Sequence, residues 1–278
     1  MARHPAKFLL CLLFLCLVLG IGCTTDSGPA IDAALDVVVG PADDGGTNAD
    51  DGGAGDVASD RSVDAAVCGP SPWVLMGAVR NARQLGTVPL ANSGTIACNQ
   101  IYRGAALSSL SAAGCGQYAS LGIKTVIDLR DPSERVAPTS CVSEQSRIVL
   151  APLPIPYNVS PADYRAVLYA APSMRIIFAT LADAHAYPVY YHCVYGKDRS
   201  GVVTAIVLSA LGATREAIQA EYALTGEAGY GFYPQSLDAV LDEIDRVGGI
   251  DAYFKSIGVP KEQVDAMRTI LVRPALFP

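Results

Sequence analysis

Residues 200–211 read Ser-Gly-Val-Val-Thr-Ala-Ile-Val-Leu-Ser-Ala-Leu and stop at Gly212, a run of helical length with almost no polar face. A helix apolar on nearly every side cannot lie on a surface, so this one must sit at the centre of a domain. Immediately upstream, Pro188 to His192 has the length and composition of a short buried strand. Strand, connecting loop and central helix therefore form one unit, and the rest of the chain has to pack around it.

The flanking sequence supplies the layers. Ile96 to Arg103 and Lys124 to Leu129 are apolar, β-branched at their centres and bounded by turn residues, so both read as strands. A helix over Ser111 to Leu121 lies between them and closes at Gly122. A third strand is expected at Arg147 to Leu153, stopped by Pro152, Pro154 and Pro156. Ser160-Pro161 is a capping hydroxyl followed by proline at the first helical position, and it opens an amphipathic stretch towards Ala186 with a break near Pro172. Further helices are expected over Thr214 to Leu224, Gln235 to Val247, Ile250 to Ile257 and Pro260 to Leu271. Strands alternating with helices early and a helical tail late predict an α/β domain: an open, mainly parallel sheet flanked by helices, with a helical C-terminal part.

That domain begins at residue 68. Ahead of it, Arg3 and Lys7 precede an apolar stretch from Phe8 to Ile21 that ends at Gly22-Cys23. The stretch is short for a membrane span and has the layout of an export signal over residues 1–22. It resembles a bacterial lipoprotein signal with Cys23 as the lipidated residue, although Gly20 stands where that signal usually has Leu. Plain secretion is the alternative. Residues 23–67 are Asp, Gly and Ala with almost no aromatic side chain, and such a segment buries too little apolar area to offset its chain entropy. It reads as a tether reaching roughly 35 to 40 Å. Exported and membrane-anchored is the expected location, with Thr24 rather than Asp after Cys23 pointing to an outer membrane.

Charge is divided unevenly: residues 24–67 hold ten Asp and one Arg, whereas 68–278 hold 17 acidic and 17 basic residues. The domain is formally neutral, and without a basic run it offers no footprint for nucleic acid. Cys11 and Cys16 belong to the signal; Cys68, Cys98, Cys115, Cys141 and Cys193 belong to the domain. In an oxidising compartment the first four can form two disulfides in any of three pairings, leaving Cys193 without a thiol partner. Their spacing fits no zinc pattern, and neither metal nor cofactor is expected.

The chemistry is concentrated between the strand and the central helix, in His192-Cys193-Val194-Tyr195-Gly196-Lys197-Asp198-Arg199-Ser200-Gly201. A loop from a strand end into a helix start turns successive N–H groups into one hollow, with the positive end of the helix behind it. Gly196 allows the backbone to bend closely around an oxyanion, and Arg199 presents a planar fork to two of its oxygens. The same field favours the thiolate form of a cysteine at this place, a nucleophile. No nucleotide-binding loop is present, since Tyr191 stands where its first glycine is required.

This stretch resembles the Cys-x5-Arg phosphate loop of protein tyrosine phosphatases, in the His-Cys-x-x-Gly-Lys-Asp-Arg-[Ser/Thr]-Gly form of bacterial tyrosine and lipid phosphatases. Asn81-Ala82-Arg83-Gln84-Leu85-Gly86, Tyr102-Arg103-Gly104-Ala105-Ala106-Leu107 and Val126-Ile127-Asp128-Leu129-Arg130 with Glu134 are similar to three further segments of that family. The resemblance implies a protein tyrosine phosphatase-like fold and a metal-independent phosphomonoester hydrolase acting through a phosphocysteine on Cys193. Arg199 and the loop residues Val194, Tyr195, Gly196, Lys197 and Ser200 would bind phosphate, with Ser200 hydrogen-bonded to the sulfur. His192, Arg103 and Arg83 would brace the loop. The general acid is expected to be Asp198 or Asp128, with Asp131 a weaker third; Asp128 could equally be a structural partner of Arg130 or Arg103. Tyr195 stands where a small residue is common and would reshape the pocket mouth, and Gln84 stands where Asp is usual. Implied substrates are phosphotyrosine proteins, with phosphoserine, phosphothreonine and phosphoinositides also within reach. A surface lipoprotein that binds phosphate esters without turnover is the alternative, and a rhodanese-like sulfur transferase ranks below it because its loop does not require Arg at this spacing.

Overall fold

The computed structural model describes residues 68–274 except Ser109. The export signal, the lipidation at Cys23 and the tether 23–67 expected from the sequence lie outside the described residues, as do residues 275–278. No helix among the described residues is long and apolar enough to cross a membrane.

The elements follow in chain order: β1 (Arg83–Gln84), β2 (Thr95–Ile96), β3 (Ile101–Gly104), α1 (Ala112–Ser120), β4 (Thr125–Asp128), α2 (Ser140–Gln145), β5 (Arg147–Leu150), α3 (Pro161–Leu168), α4 (Ala171–Leu181), β6 (Val189–His192), α5 (Asp198–Leu211), α6 (Arg215–Glu227), α7 (Pro234–Arg246), α8 (Ile250–Ser256), α9 (Lys261–Leu271) and β7 (Val272–Arg273). Five strands form one sheet in the order β1-β3-β6-β4-β5. β3, β6, β4 and β5 run parallel, and only β1 is antiparallel to its neighbour. The strand leading into the cysteine loop is thus the middle one. β2 and β7 pair separately and fasten the end of the last helix to the first half of the domain.

Each strand divides its side chains between two cores, as a period of two requires. Ile101, Ile127, Val189 and Tyr191 enter the larger cluster with α5, whereas Tyr102, Val126 and Tyr190 enter the smaller one with Tyr118 of α1 and Val142 of α2. α5 packs against β6 and against α3, α6, α7, α8 and α9. Its Val202, Val203, Ile206, Val207 and Leu208 are completely buried, each worth roughly 1.5 to 3 kcal/mol relative to exposure. Gly212 ends the helix in the left-handed region, at φ +89°.

One stretch differs from the sequence reading. The stretch Ile96 to Arg103 is two strands, because Asn99 takes φ +57° and Cys98 is tied to Cys68, which turns the chain between β2 and β3. The stretch after Ser160 is two helices, α3 and α4, parted just before Pro172, as its expected break required. Of the three possible pairings the cysteines adopt Cys68–Cys98 and Cys115–Cys141, the latter joining α1 to α2, and Cys193 is free and buried.

Candidate active site

Loop 193–197 leaves β6 at the carboxyl edge of the sheet and enters α5. Its carbonyls are all held from behind. Ring Nδ1 of His192 bonds the Cys193 carbonyl at 3.0 Å, and Ala106 N–H reaches that of Val194 at 3.1 Å. Asn81 Nδ2 donates to the carbonyls of Tyr195 (3.2 Å) and Gly196 (3.0 Å). One amino group of Arg103 donates to Gly196 (2.7 Å) and Lys197 (3.3 Å), and the latter also accepts from Gly201 N–H at 2.8 Å. No backbone acceptor among the described residues takes an N–H of Val194 to Lys197, and α5 starts without a side-chain cap at Lys197. With carbonyls fixed on one side, the amides are left to the other, which is how a backbone nest for an anion is made. Gly196 is indispensable to it: at φ +65° an added Cβ would lie 2.2 Å from the Gly104 carbonyl carbon.

The Arg103 brace is itself anchored. Arg103 Nη1 and Arg83 Nε donate to the two oxygens of Glu221 on α6, at 2.7 and 2.6 Å, with all three side chains buried. Burial alone would raise the Glu221 carboxyl, but the two guanidinium groups outweigh it and hold the group below the usual carboxylate range. Arg83 also bonds the Asn81 side chain, so the two residues that grip the loop carbonyls share one network. Sequence reasoning anticipated Arg83 and Arg103 as braces but missed Glu221. A signal existed, since Ile218, Glu221, Tyr222 and Thr225 lie on one helical face and all are buried. A carboxylate in the middle of such a face requires a buried cation.

Arg199 is half of a two-pronged ion pair. Its Nη1 and Nη2 lie 2.5 and 2.8 Å from the oxygens of Glu134, which follows β4 in a one-turn 3-10 segment capped by Asp131. Burial raises the Glu134 carboxyl, yet its bonds to Arg199 leave it below its ordinary value. Cys193 and Arg199 are 2% and 4% exposed. Ser200 Oγ is buried without a hydrogen-bond partner among the described residues, so the bond expected between it and the sulfur is not formed. His192 is buried beneath the loop and is pushed down to about 4 by desolvation, which leaves it neutral.

The three candidate acids occupy different places. Asp128 is clasped by Arg130, at 2.8 and 2.9 Å from side-chain nitrogens and 3.0 Å from the backbone N–H; burial raises its carboxyl, but these bonds win and lower it. Asp131 caps its turn by accepting from Ser133 N–H and Oγ. Asp198, the first residue of α5, accepts from Tyr164 Oη at 2.6 Å and lies 3.6 Å from Lys197 Nζ. Around the loop, the half-exposed Tyr195 packs on Tyr230 (ring centroids 5.5 Å apart), Arg80 lies over Tyr230, and Lys197 lies over Tyr233.

A loop built in this way is shaped for a tetrahedral oxyanion beside a thiol, and a parallel sheet that presents it from its middle strand is that of a phosphatase of the protein tyrosine phosphatase kind. The chain belongs to the tyrosine phosphatase family, whose model matches residues 75–273. A tyrosine-protein phosphatase of Nostoc commune is 23% identical, over 66% of this chain and 78% of that protein. Among solved structures, the core catalytic domain of the PP-IP phosphatase SIW14 from S. cerevisiae, in complex with citrate, aligns over 60% of this chain and 96% of its own, with 15% identity and a TM-score of 0.37. TpbA of P. aeruginosa aligns over 59% and 90%, with 19% identity and a TM-score of 0.34.

Proposed function

We propose that the protein hydrolyses phosphomonoesters in two steps through a phosphocysteine on Cys193, without a metal ion. The observation that carries this reading is the loop itself, with every carbonyl from Cys193 to Lys197 occupied from behind and Arg199 aligned by Glu134. In the first step Sγ bonds phosphorus in line as the ester oxygen leaves, and the loop amides with Arg199 hold the equatorial oxygens, where most of the transition-state stabilisation arises. In the second, water attacks phosphorus and the sulfur departs. Ser200 Oγ, buried and without a hydrogen-bond partner among the described residues, is the hydroxyl at hand to support the departing thiolate.

Asp198 is the general acid in this scheme. Asp128 is committed to Arg130 and Asp131 to its turn, whereas Asp198 stands at the start of α5 with its side chain 14% exposed. The leaving group meets a rim of Tyr195, Tyr230, Tyr233, Arg80 and Lys197, which suits an aromatic phosphate first and phosphoserine, phosphothreonine or a phosphoinositide after it. We place this activity on an exported protein anchored through Cys23; loss of membrane association in a Cys23→Ala variant tests the anchor.

The activity is tested by phosphate release from 4-nitrophenyl phosphate in the presence of EDTA, wild type against Cys193→Ser. Turnover that resists chelator and disappears in the variant is the expected result. A reduced wild-type protein that binds phosphate but releases none from the ester would instead be a phosphate-ester-binding protein.

A further inference from the structure

Behind Asp198 lies a line of hydroxyls that ordinary packing does not require. Tyr164 Oη, from α3, is 2.6 Å from Asp198 Oδ1 and 2.7 Å from Tyr222 Oη of α6, which in turn accepts from Tyr233 N–H at 3.3 Å. Both tyrosines are buried. Tyr222 reaches this place because residue 201 is glycine: a Cβ there would lie 2.8 Å from Tyr222 Cε2. The line has a single polarity. Tyr164 gives its one hydrogen to the carboxylate oxygen Oδ1, so towards Tyr222 it can only accept, and Tyr222 donates to it while accepting from the Tyr233 amide. Oδ1 is an acceptor whether Asp198 is ionised or carries its proton on the other oxygen. Oδ2 lies 3.6 Å from Lys197 Nζ.

We infer that Tyr164, aligned by Tyr222, is the positioning residue of the general acid: it occupies Oδ1 in both protonation states and so assigns the catalytic proton to Oδ2. This rests on the reading of Asp198 as that acid. As Sγ bonds phosphorus, the electron pair of the breaking P–O bond stays on the leaving oxygen, which takes the Oδ2 proton. In the second step the attacking water returns a proton to Oδ2 as its oxygen bonds phosphorus and the S–P pair goes back to sulfur.

A misplaced acid harms poor leaving groups more than good ones, and a general structural fault does not discriminate between them. The test compares phenyl phosphate with 4-nitrophenyl phosphate, whose phenolate leaves readily without a proton, using the full chain. Removing one charge-assisted hydrogen bond in Tyr164→Phe should lower kcat/KM, which reports the step that expels the leaving group, about tenfold on phenyl phosphate and less than about threefold on 4-nitrophenyl phosphate. Tyr222→Phe should show the same selectivity, more weakly, and decides the matter if Tyr164→Phe does not fold. In an Asp198→Asn background Tyr164→Phe should add no further selectivity. Equal losses on both esters, no loss on either, or selectivity that persists without Asp198 would overturn the inference while leaving the phosphatase reading intact. A wild type inactive on both esters would sink the two together.

Discussion

Glu134 and Arg199 meet through two parallel hydrogen bonds, 2.5 and 2.8 Å long. The pair brings a residue from the loop after β4 to the first turn of α5, and it fixes the plane of the guanidinium. Two-pronged, charge-assisted pairs of this kind contribute about 1.5 to 3 kcal/mol, so Glu134→Ala should lower kcat/KM about 10- to 100-fold and weaken competitive inhibition by inorganic phosphate in parallel. Steady-state kinetics with phosphate as inhibitor check this; unchanged constants would mean that the loop alone orients Arg199.

Glu221 should matter to the fold as much as to the loop. Replaced by Gln, it leaves Arg83 and Arg103 as buried neighbouring cations, and breaking such a network costs about 3 to 5 kcal/mol. Urea unfolding of Glu221→Gln at pH 7 measures the loss directly. A change below about 1 kcal/mol would show that the two arginines find other acceptors.

His192 makes the domain sensitive to mild acid. Its folded value of about 4 lies below its ordinary 6.5, so its contribution to stability is fully present above pH 6.5 and is lost as the pH falls towards 4. Between pH 7 and pH 5 the loss is on the order of 2 kcal/mol. Asp128 and Glu221 are also held below their ordinary values, but they lose their contribution only at lower pH, so this window isolates the histidine. Unfolding curves at the two pH values should converge for His192→Asn and stay apart for wild type.

Cys193 should be the one thiol of the described residues to react when the protein is unfolded without reductant and alkylated, because the other four are paired. Peptide mapping reads this out. Removing Cys115 and Cys141 together should cost about 2 to 4 kcal/mol in stability and leave the turnover of Cys193 in place.

How much of this was open to a reader of the sequence depends on the range of each interaction. The central helix was written in Val202 to Leu208, and the loop in the six-residue step from Cys193 to Arg199, because burial on all faces and a strand-to-helix turn are local patterns. The helix after Ser160 was visible for the same reason, down to its break near Pro172. The short pairs β1 and β2 with β7 were not, since strands of two residues carry no period and exist only because a partner is present.

The sequence by itself determined the α/β class and the mainly parallel sheet, which follow from hydrophobic periodicity and turn residues over a few neighbours, and the place where chemistry is concentrated, which follows from the six-residue step between Cys193 and Arg199 at a strand-to-helix turn. Only the tertiary structure decided which cysteines pair, that Asp128 serves Arg130, that Glu134 holds Arg199, and that Glu221, Tyr164 and Tyr222 stand behind the loop. Most of these partners lie 26 to 138 residues apart in the chain, and Asp128, two residues from Arg130, had rival partners; hydrogen bonds depend on distances of about 3 Å in space, which sequence spacing does not encode.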